Sequence, residues 1–405
     1  MFTSNLFHRS LVLIALALAA PTAYAESVAS ELRAAVNAAW QRSPQARALE
    51  ARRDEVMAGR DAAHAWTAGA PAIGLAQRSD SWNDRNGRRE TEVSLYAPIW
   101  LLGQKSARQT LAQASADDLE AQIVNGRLAL TGEVRERLWA VAAAREALSE
   151  AQDHLRHLEA LADEVMRRIK AGDLARTDGM LAQQEVLAAR AAVGLAQARV
   201  NETLSRYRTL TGQPDIPPPV VEPIGSTTAD LHPRIIAART GLQLAQASLG
   251  VVNASRSDPP TIGVSMLREQ DSAAASTNRT IGLSIQIPIG TNARNRPLET
   301  AAHTQIEVAT AEAAQVETTL RADIDLARLQ LAVAREALDM MSSRTALTRD
   351  HVKLIDKAFR LGERGLADVL RSQALAHEAD AAEGQQRVTV GLAHARLNQA
   401  LGVLP

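Results

Sequence analysis

The fold is decided by residues 148–169, which read LSEAQDHLRHLEALADEVMRRI. Small or apolar side chains recur there in alternating steps of three and four residues, at Leu148, Ala151, Leu155, Leu158, Ala162, Val165 and Ile169. This spacing is that of the a/d seam of a coiled coil. The stretch therefore predicts a long helix that packs lengthwise against another helix.

A second seam repeats the first one. Residues 338–359 read LDMMSSRTALTRDHVKLIDKAF and carry the same steps at Leu338, Met341, Thr345, Thr348, Val352, Ile355 and Phe359. Position 338 lies 190 residues after position 148, and Pro288 follows Pro98 at the same offset. Matched segments half a chain apart predict an internal duplication.

Composition excludes several classes of protein. The 405 residues carry a formal net charge of −1, so no basic excess suggests a nucleic-acid partner. There is no cysteine, which excludes disulfides, thiolate metal sites and cysteine nucleophiles. Aromatic residues make up only 3%, a value that closely packed, alanine-rich helices explain.

The first 25 residues have the pattern of an export signal. Basic residues precede an apolar run, Leu11 to Ala20, and Ala23-Tyr24-Ala25 forms a small-x-small cleavage site. The alternative is a short membrane anchor, but such a run is too short to cross a bilayer core of about 30 Å as a helix. No later run approaches the roughly 18 continuous apolar residues of a spanning helix. Any entry into a membrane is therefore expected to use strands.

Two hairpins are predicted, at about residues 71–98 and 260–288. In the clearest strand, Ile281, Leu283, Ile285 and Ile287 alternate with polar or small residues. Strands of about nine residues are long enough to cross a bilayer, although the hairpins could instead lie on a soluble core. Four strands cannot close a membrane barrel, so other copies would have to complete it, and three copies would give about 12 strands.

Long helices separate these hairpins. Between Gly103 and Ala171 almost nothing breaks a helix, which predicts a helical run of roughly 100 Å, with a joint at Gly126 or Gly132. The predicted organisation is a signal peptide (1–25), a first repeat (26–212), a proline-rich linker (213–231) and a second repeat (232–405).

With these features, the whole mature chain resembles the TolC-like family of outer-membrane efflux proteins. The resemblance includes the turn sequences at 168–178 and 359–370, in each of which an aspartate follows a glycine by six residues: Gly172 and Asp178, then Gly362 and Asp368. It implies a mainly α fold with a small β part, in which long antiparallel coiled-coil helices form a trimeric periplasmic α-barrel. Two β-hairpins per chain would contribute to an outer-membrane β-barrel of about 12 strands.

The resemblance also implies roles for the turn residues. In this family the turns meet the adaptor and close the entrance. The matching gate positions are Phe359, Arg364, Asp368 and Arg371, and the matching adaptor-docking positions are Gly172, Asp173, Asp178, Gly362 and Gly365. Phe359 stands where the best-studied members have a tyrosine, and Arg371 stands where a second gate carboxylate often sits. The alternative is that Asp368 only caps the last helix, that Arg364 is a solvated turn charge, and that Thr177 or Asp178 is the first-half cap.

The function implied is that of a passive exit duct in a tripartite pump, without cofactor or catalytic residues. Its partners would be two further copies, outer-membrane lipid, a periplasmic adaptor (membrane fusion) protein and an inner-membrane pump. The modest length favours the CzcC-like branch, so that heavy-metal cations or drugs would be the cargo. His154 and His157 can share a helix face, but without a third ligand nearby no zinc site is expected. The alternative from another class is an exported coiled-coil scaffold or adaptor without a channel.

Overall fold

A computed structural model describes residues 30–82, 86–225 and 229–405. Within these ranges the helices are α1 (residues 30–42), α2 (Pro44–His64), α3 (Gln104–Ala171), α4 (Arg176–Thr211), α5 (Pro233–Ala254), α6 (Asn292–Arg360) and α7 (Leu366–Ala400). The strands are β1 (Ala72–Ser79), β2 (Arg89–Pro98), β3 (Thr261–Gln270) and β4 (Asn278–Gln286). The predicted signal peptide, residues 1–25, lies outside the described residues.

The chain divides into two compact units. One takes the residues up to Arg47, Val124–Pro233 and Thr318–Pro405, and the other takes Ala48–Ile123 and Arg234–Glu317. The first unit is helical, whereas the second contains all four strands of the described chain. The protein is therefore mainly α with a small antiparallel sheet.

The sheet has the strand order β1-β2-β3-β4, and all its pairs are antiparallel. Within the described residues, β1 and β4 each pair on one side only. Their outer backbone groups are left without a strand partner, which is unfavourable in any setting that lacks water. Both predicted hairpins are confirmed, and their strands extend into the polar segments to Ser79 and Gln270.

The two faces of the sheet differ sharply. Ile73, Leu95, Val264 and Leu283 lie in one cross-strand row, followed by the row Leu75, Val93, Met266 and Ile281. All eight side chains are exposed, from 47% at Val93 to 80% at Ile73. The opposite face carries the row Gly74, Ser94, Ser265 and Gly282. One face is thus a continuous apolar surface that water would not favour.

Tyr96 explains why glycine occurs on the polar face. A Cβ atom at Gly263 would lie 2.6 Å from the Tyr96 ring, and one at Gly74 would lie 3.5 Å from it. The aromatic ring therefore requires glycine at position 263, whereas at Gly74 the atom that leaves no room for a Cβ is the Ser94 hydroxyl.

In the helical unit, α3 lies between α4 and α7. Val134 and Val141 of α3 pack with Tyr207 of α4, while Trp139 of α3 packs with Ala395 of α7. Helix α7 in turn packs on α6 through Ala393, Leu397 and their α6 partners Ala327, Leu331 and Ala334. The coiled-coil seams predicted from the sequence are confirmed by the burial of Leu158, Val165 and Phe359.

The predicted joint at Gly126 or Gly132 is wrong, because α3 runs unbroken through both residues. A Cβ atom at Gly132 would lie 2.8 Å from the Gln399 side chain. Gly132 therefore provides room for a neighbouring helix rather than a break.

One described helix, α5, has the length and composition of a membrane span. It lacks a continuous apolar run, because Arg239 and Gln243 interrupt it. Helices of soluble proteins meet the same test, so α5 is not assigned as a span.

Candidate functional site

Two turns join the long helices of the helical unit, and they share one backbone geometry. At the α3–α4 turn, Gly172 has a φ of +88° and Asp173 donates its backbone N–H to the Arg168 carbonyl at 2.9 Å. At the α6–α7 turn, Gly362 has a φ of +77° and Glu363 donates its N–H to the Ala358 carbonyl, also at 2.9 Å. This is a left-handed helix C-cap, in which glycine is favoured because it has no Cβ atom.

Each turn ends in an aspartate in the first turn of the next helix. Asp178 accepts a hydrogen bond at Oδ2 from the Ala175 N–H at 3.2 Å, so that Asp178 rather than Thr177 makes the cap contact. In α7 the N-cap residue is Gly365, and Asp368 stands three residues later. An acidic side chain in the first turn is stabilised by the positive end of the helix dipole.

The charged residues of the second turn are solvated. Asp368 Oδ2 lies 3.7 Å from Arg364 Nη1, and both side chains are about half exposed. An ion pair this exposed contributes about 0–1 kcal/mol. Arg371 is also exposed and makes no ion pair within the described part of the chain. All three are therefore free to meet a neighbouring molecule.

Phe359 has a different setting, because its ring is 2% exposed. It belongs to the hydrophobic cluster beneath both turns, with Leu158, Val165, Val186 and Val369. The Arg168 guanidinium lies 4.7 Å from the centre of the Phe359 ring, and Arg168 Nη1 donates to the Phe359 carbonyl at 3.3 Å. Phe359 thus joins the two turns from beneath and presents no ring to a neighbour.

Arg168 links the two turns, a role that its place in the turn motif did not predict. Its other contact is Glu164, which accepts from Nη2 at 2.9 Å. The stacking with Phe359 joins residues on two different long helices, and no local spacing in the sequence encodes such a contact.

The turn glycines are open to the surroundings. Nothing lies within 4 Å of a Cβ atom built on Gly172, Gly362 or Gly365. Beside the first turn is a groove of about 1070 Å³, whose apolar lining includes Met166, Ile169, Met180, Leu181 and Leu187. The turns and this groove offer an accessible, partly apolar surface.

The histidines meet in a way that the sequence did not predict. His377 of α7 stacks on His154 of α3, with ring centroids 4.0 Å apart and planes 8° from parallel. With His157 they line a cavity of about 590 Å³. The lone pairs of parallel rings do not converge, and no group of three metal-binding side chains is found in the described residues. The third histidine therefore does not create a zinc site.

Comparison with known proteins places this fold. The family described as outer membrane efflux protein matches residues 225–403. No curated protein matches the chain.

Several solved structures share the fold over 92% of this chain. The outer membrane protein VceC of Vibrio cholerae has 16% sequence identity and a TM-score of 0.72, with 96% of its own chain covered. The outer-membrane channel OprN has 19% identity and a TM-score of 0.72, with 90% covered. The MtrE outer membrane channel of Neisseria gonorrhoeae, in its open state, has 19% identity and a TM-score of 0.71, with 89% covered.

Proposed function

We propose that this chain is a TolC-like outer membrane efflux protein and that three copies form the exit duct of a tripartite efflux system. The protein lies in the outer membrane with its helices in the periplasm. In this proposal each chain contributes two repeats, 26–212 and 232–405, joined by the linker 213–231. The duct is passive and carries no catalytic residues.

The observation that carries the proposal is the unfinished sheet. Its apolar face suits lipid, its polar face suits a water-filled channel, and its two edge strands lack partners within the described residues. In a bilayer such edges must be paired, because lipid offers no hydrogen bonds. Three copies joined edge to edge give a closed barrel of about 12 strands. A periplasmic scaffold would instead leave the apolar face in water.

The helical unit also has exposed apolar side chains that a neighbouring copy could cover. One apolar side chain recurs every seven residues along α6 and just past its end, and we name this set the α6 stripe: Leu326, Val333, Met340, Leu347, Leu354 and Leu361. These side chains are 53–73% exposed. On α4, Met180, Leu187 and Leu195 are exposed as well. Because α4 packs on α3 while α6 packs on α7, contact between the α6 stripe of one copy and α4 of the next would close a ring.

Assembly should therefore fail when the α6 stripe is made acidic. We expect Leu347→Glu/Leu354→Glu to abolish the trimer, since each leucine buried at an interface contributes about 1.5–3 kcal/mol and a buried carboxylate is unfavourable. Native mass spectrometry in detergent would report the number of copies. Ala346→Glu, at an exposed α6 position beside the stripe, is the matched control and should remain trimeric. A stable trimer of the double variant would contradict this assembly.

The two turns are proposed to face the periplasmic partners. Gly172, Asp173, Asp178, Gly362 and Gly365 would meet the adaptor protein, which connects the duct to an inner-membrane pump. The pump supplies the energy and selects the cargo, for which heavy-metal cations and drugs are the two candidate classes.

Closure of the entrance is proposed to use Arg364, Asp368 and Arg371. Both carboxylate and guanidinium groups are exposed there, so that Arg364 of one copy can pair with Asp368 of the next. Because Arg371 occupies the position of a second gate carboxylate, no acidic ring is expected. Phe359 would support the entrance from beneath through its contact with Arg168.

Charge reversal at this entrance should raise the conductance. Arg364→Glu or Asp368→Arg places like charges where the proposed pairs meet, and we expect a several-fold increase in single-channel conductance in planar bilayers. The swapped variant Arg364→Asp/Asp368→Arg restores opposite charges and should return the conductance to a low value. Unchanged conductance in both single variants would reduce these residues to a turn charge and a helix-dipole contact.

A further inference from the structure

Helix α7 is held on two sides by histidines that must be neutral for their contacts to form. On one side, His377 stacks face to face on His154 of α3, with ring centroids 4.0 Å apart. On the other side, His394 Nε2 lies 2.8 Å from Nη2 of Arg335 on α6. A guanidinium can only donate, so His394 must accept at Nε2 and carries its proton on Nδ1.

Full protonation would turn both contacts into repulsions, whereas a single proton on the stack leaves a charged ring on a neutral one, which is still attractive. A doubly protonated stack places two cations 4.0 Å apart. A protonated His394 places an N–H donor and a positive charge against the N–H of Arg335, at a distance that only a hydrogen bond tolerates. His394 Nδ1 is buried and has no hydrogen-bond partner, so the surroundings offer nothing to stabilise the added charge.

The charged neighbours compensate only in part. Around the stack, α3 presents Glu150, Asp153, His157 and Glu164, α6 presents Arg349, Lys353, Asp356 and Arg360, and α7 presents Asp380. Burial lowers the pKa of His377 more than Asp380, which accepts from Arg349 Nε at 2.8 Å, raises it. For His394 the charged neighbour is Arg335, which disfavours its protonation further.

We propose that these two contacts form a pH-sensitive grip on α7, in which the neutral His154–His377 stack and neutral His394 fasten the helix to α3 and α6, and protonation of all three histidines releases it. The grip is defined by the pairs His154–His377 and Arg335–His394. Each pair stands on its own geometry, and both act on the same helix.

The direction of the pH dependence follows from the environment of each ring. Burial, then the charge of His377 and of His157, lowers the pKa of His154 from 6.5 to about 4. Burial also lowers the pKa of His377, and burial together with Arg335 lowers the pKa of His394. The released helix therefore takes up protons before the held helix does. The grip is complete above pH 6.5 and is lost as the pH falls toward 4.

In the proposed duct, α7 begins at the entrance turn, so acid would loosen the entrance. That consequence rests on the proposed function, whereas the grip does not. Hydrogen exchange of the α7 amides tests the grip alone, because it reads helix opening whether or not the protein conducts.

The experiment compares amide exchange of the full chain in detergent at about pH 7.5 and about pH 4.5, corrected for the intrinsic pH dependence of exchange. In the unaltered protein, the opening of α7 should increase about tenfold or more, since each unit of pKa shift corresponds to a factor of ten. The variant His154→Phe/His377→Phe/His394→Gln keeps two stacked rings and an acceptor for Arg335 but cannot take up protons at any of the three positions. Its opening should change less than about threefold, as it also loses the linked protonation.

His351→Gln is the matched control, because His351 is exposed on α6, and it should behave like the unaltered protein. If the triple variant is unstable at neutral pH, His154→Phe/His377→Phe and His394→Gln each remove one of the two contacts from the titration, and each should reduce the acid-induced opening. The proposal is overturned if acid leaves α7 of the unaltered protein protected, or if the variants lose protection as much as the unaltered protein does.

Discussion

Replacing Glu222 with leucine should lower the free energy of unfolding by about 3–5 kcal/mol, the cost of leaving a buried charge without its partner. Arg135 is 2% exposed in its side chain and makes a two-pronged contact with Glu222, including Nε to Oε1 at 2.8 Å. Its Nη1 also donates to Gln399 Oε1 at 3.0 Å and to the Val403 carbonyl at 3.1 Å. These neutral acceptors cannot replace the lost carboxylate. Denaturant titration in detergent, followed by far-UV circular dichroism, would measure the change.

Two controls separate charge from packing. In Arg135→Met/Glu222→Leu both charges are gone, and most of the stability should return, because apolar substitutes for a buried pair are often neutral. Glu159→Leu breaks the exposed Arg190–Glu159 pair and should cost less than about 1 kcal/mol. If Glu222→Leu lowered the free energy of unfolding by no more than Glu159→Leu does, the buried Arg135–Glu222 ion pair would contribute little to stability.

The segment that contains Glu222 has contacts that could not be predicted from the sequence. Prolines marked residues 213–231 as a linker, which is normally a solvated segment. The structure instead pins it, since Asn398 Nδ2 donates to the Pro223 carbonyl at 2.9 Å and the Gly225 N–H donates to Asn398 Oδ1 at 3.0 Å. Contacts between residues more than 170 positions apart leave no periodic trace in the sequence.

The long helices and the hairpins were predictable because their signals are local. A coiled-coil seam repeats every few residues, and alternation identifies a strand with one apolar face. Strand ends were predicted less well. Arg88, Glu90 and Glu269 form ion pairs that extend the pairing of β2 and β3 into a polar segment, where apolar alternation has already stopped.

In the candidate site, too, the features with local sequence signals were predictable and the contacts between distant helices were not. The turn motif singled out Gly172 and Gly362, and the structure gives both a left-handed φ after a helix, where glycine is favoured. Nothing local pointed to Arg168 on the Phe359 ring or to His377 on His154, since each contact joins two helices distant in the chain. The α6 stripe was missed in the sequence, although it recurs every seven residues, because only its exposure in the structure distinguishes it from a buried seam.

The second large effect concerns the apolar face of the sheet. Leu283 lies at the middle of β4, is 73% exposed, and stands in the row with Ile73, Leu95 and Val264. If this face meets lipid, Leu283→Arg should disfavour the inserted barrel by about 2–4 kcal/mol per chain, the cost of an arginine near the bilayer midplane. Because a closed ring needs every copy, the amount of assembled trimer in the outer-membrane fraction should fall strongly.

The neighbouring residue supplies the control, because successive strand residues point to opposite faces. Ser284 lies next to Leu283 on the polar face and is exposed, so Ser284→Arg places the same charge toward the water-filled side. We expect Ser284→Arg to assemble at nearly the normal level and to alter ion selectivity instead. Equal assembly of both variants would mean that the apolar face does not meet lipid. The sheet would then have to be covered by protein, and the barrel, which follows from its unpaired edges in lipid, would lose its physical basis.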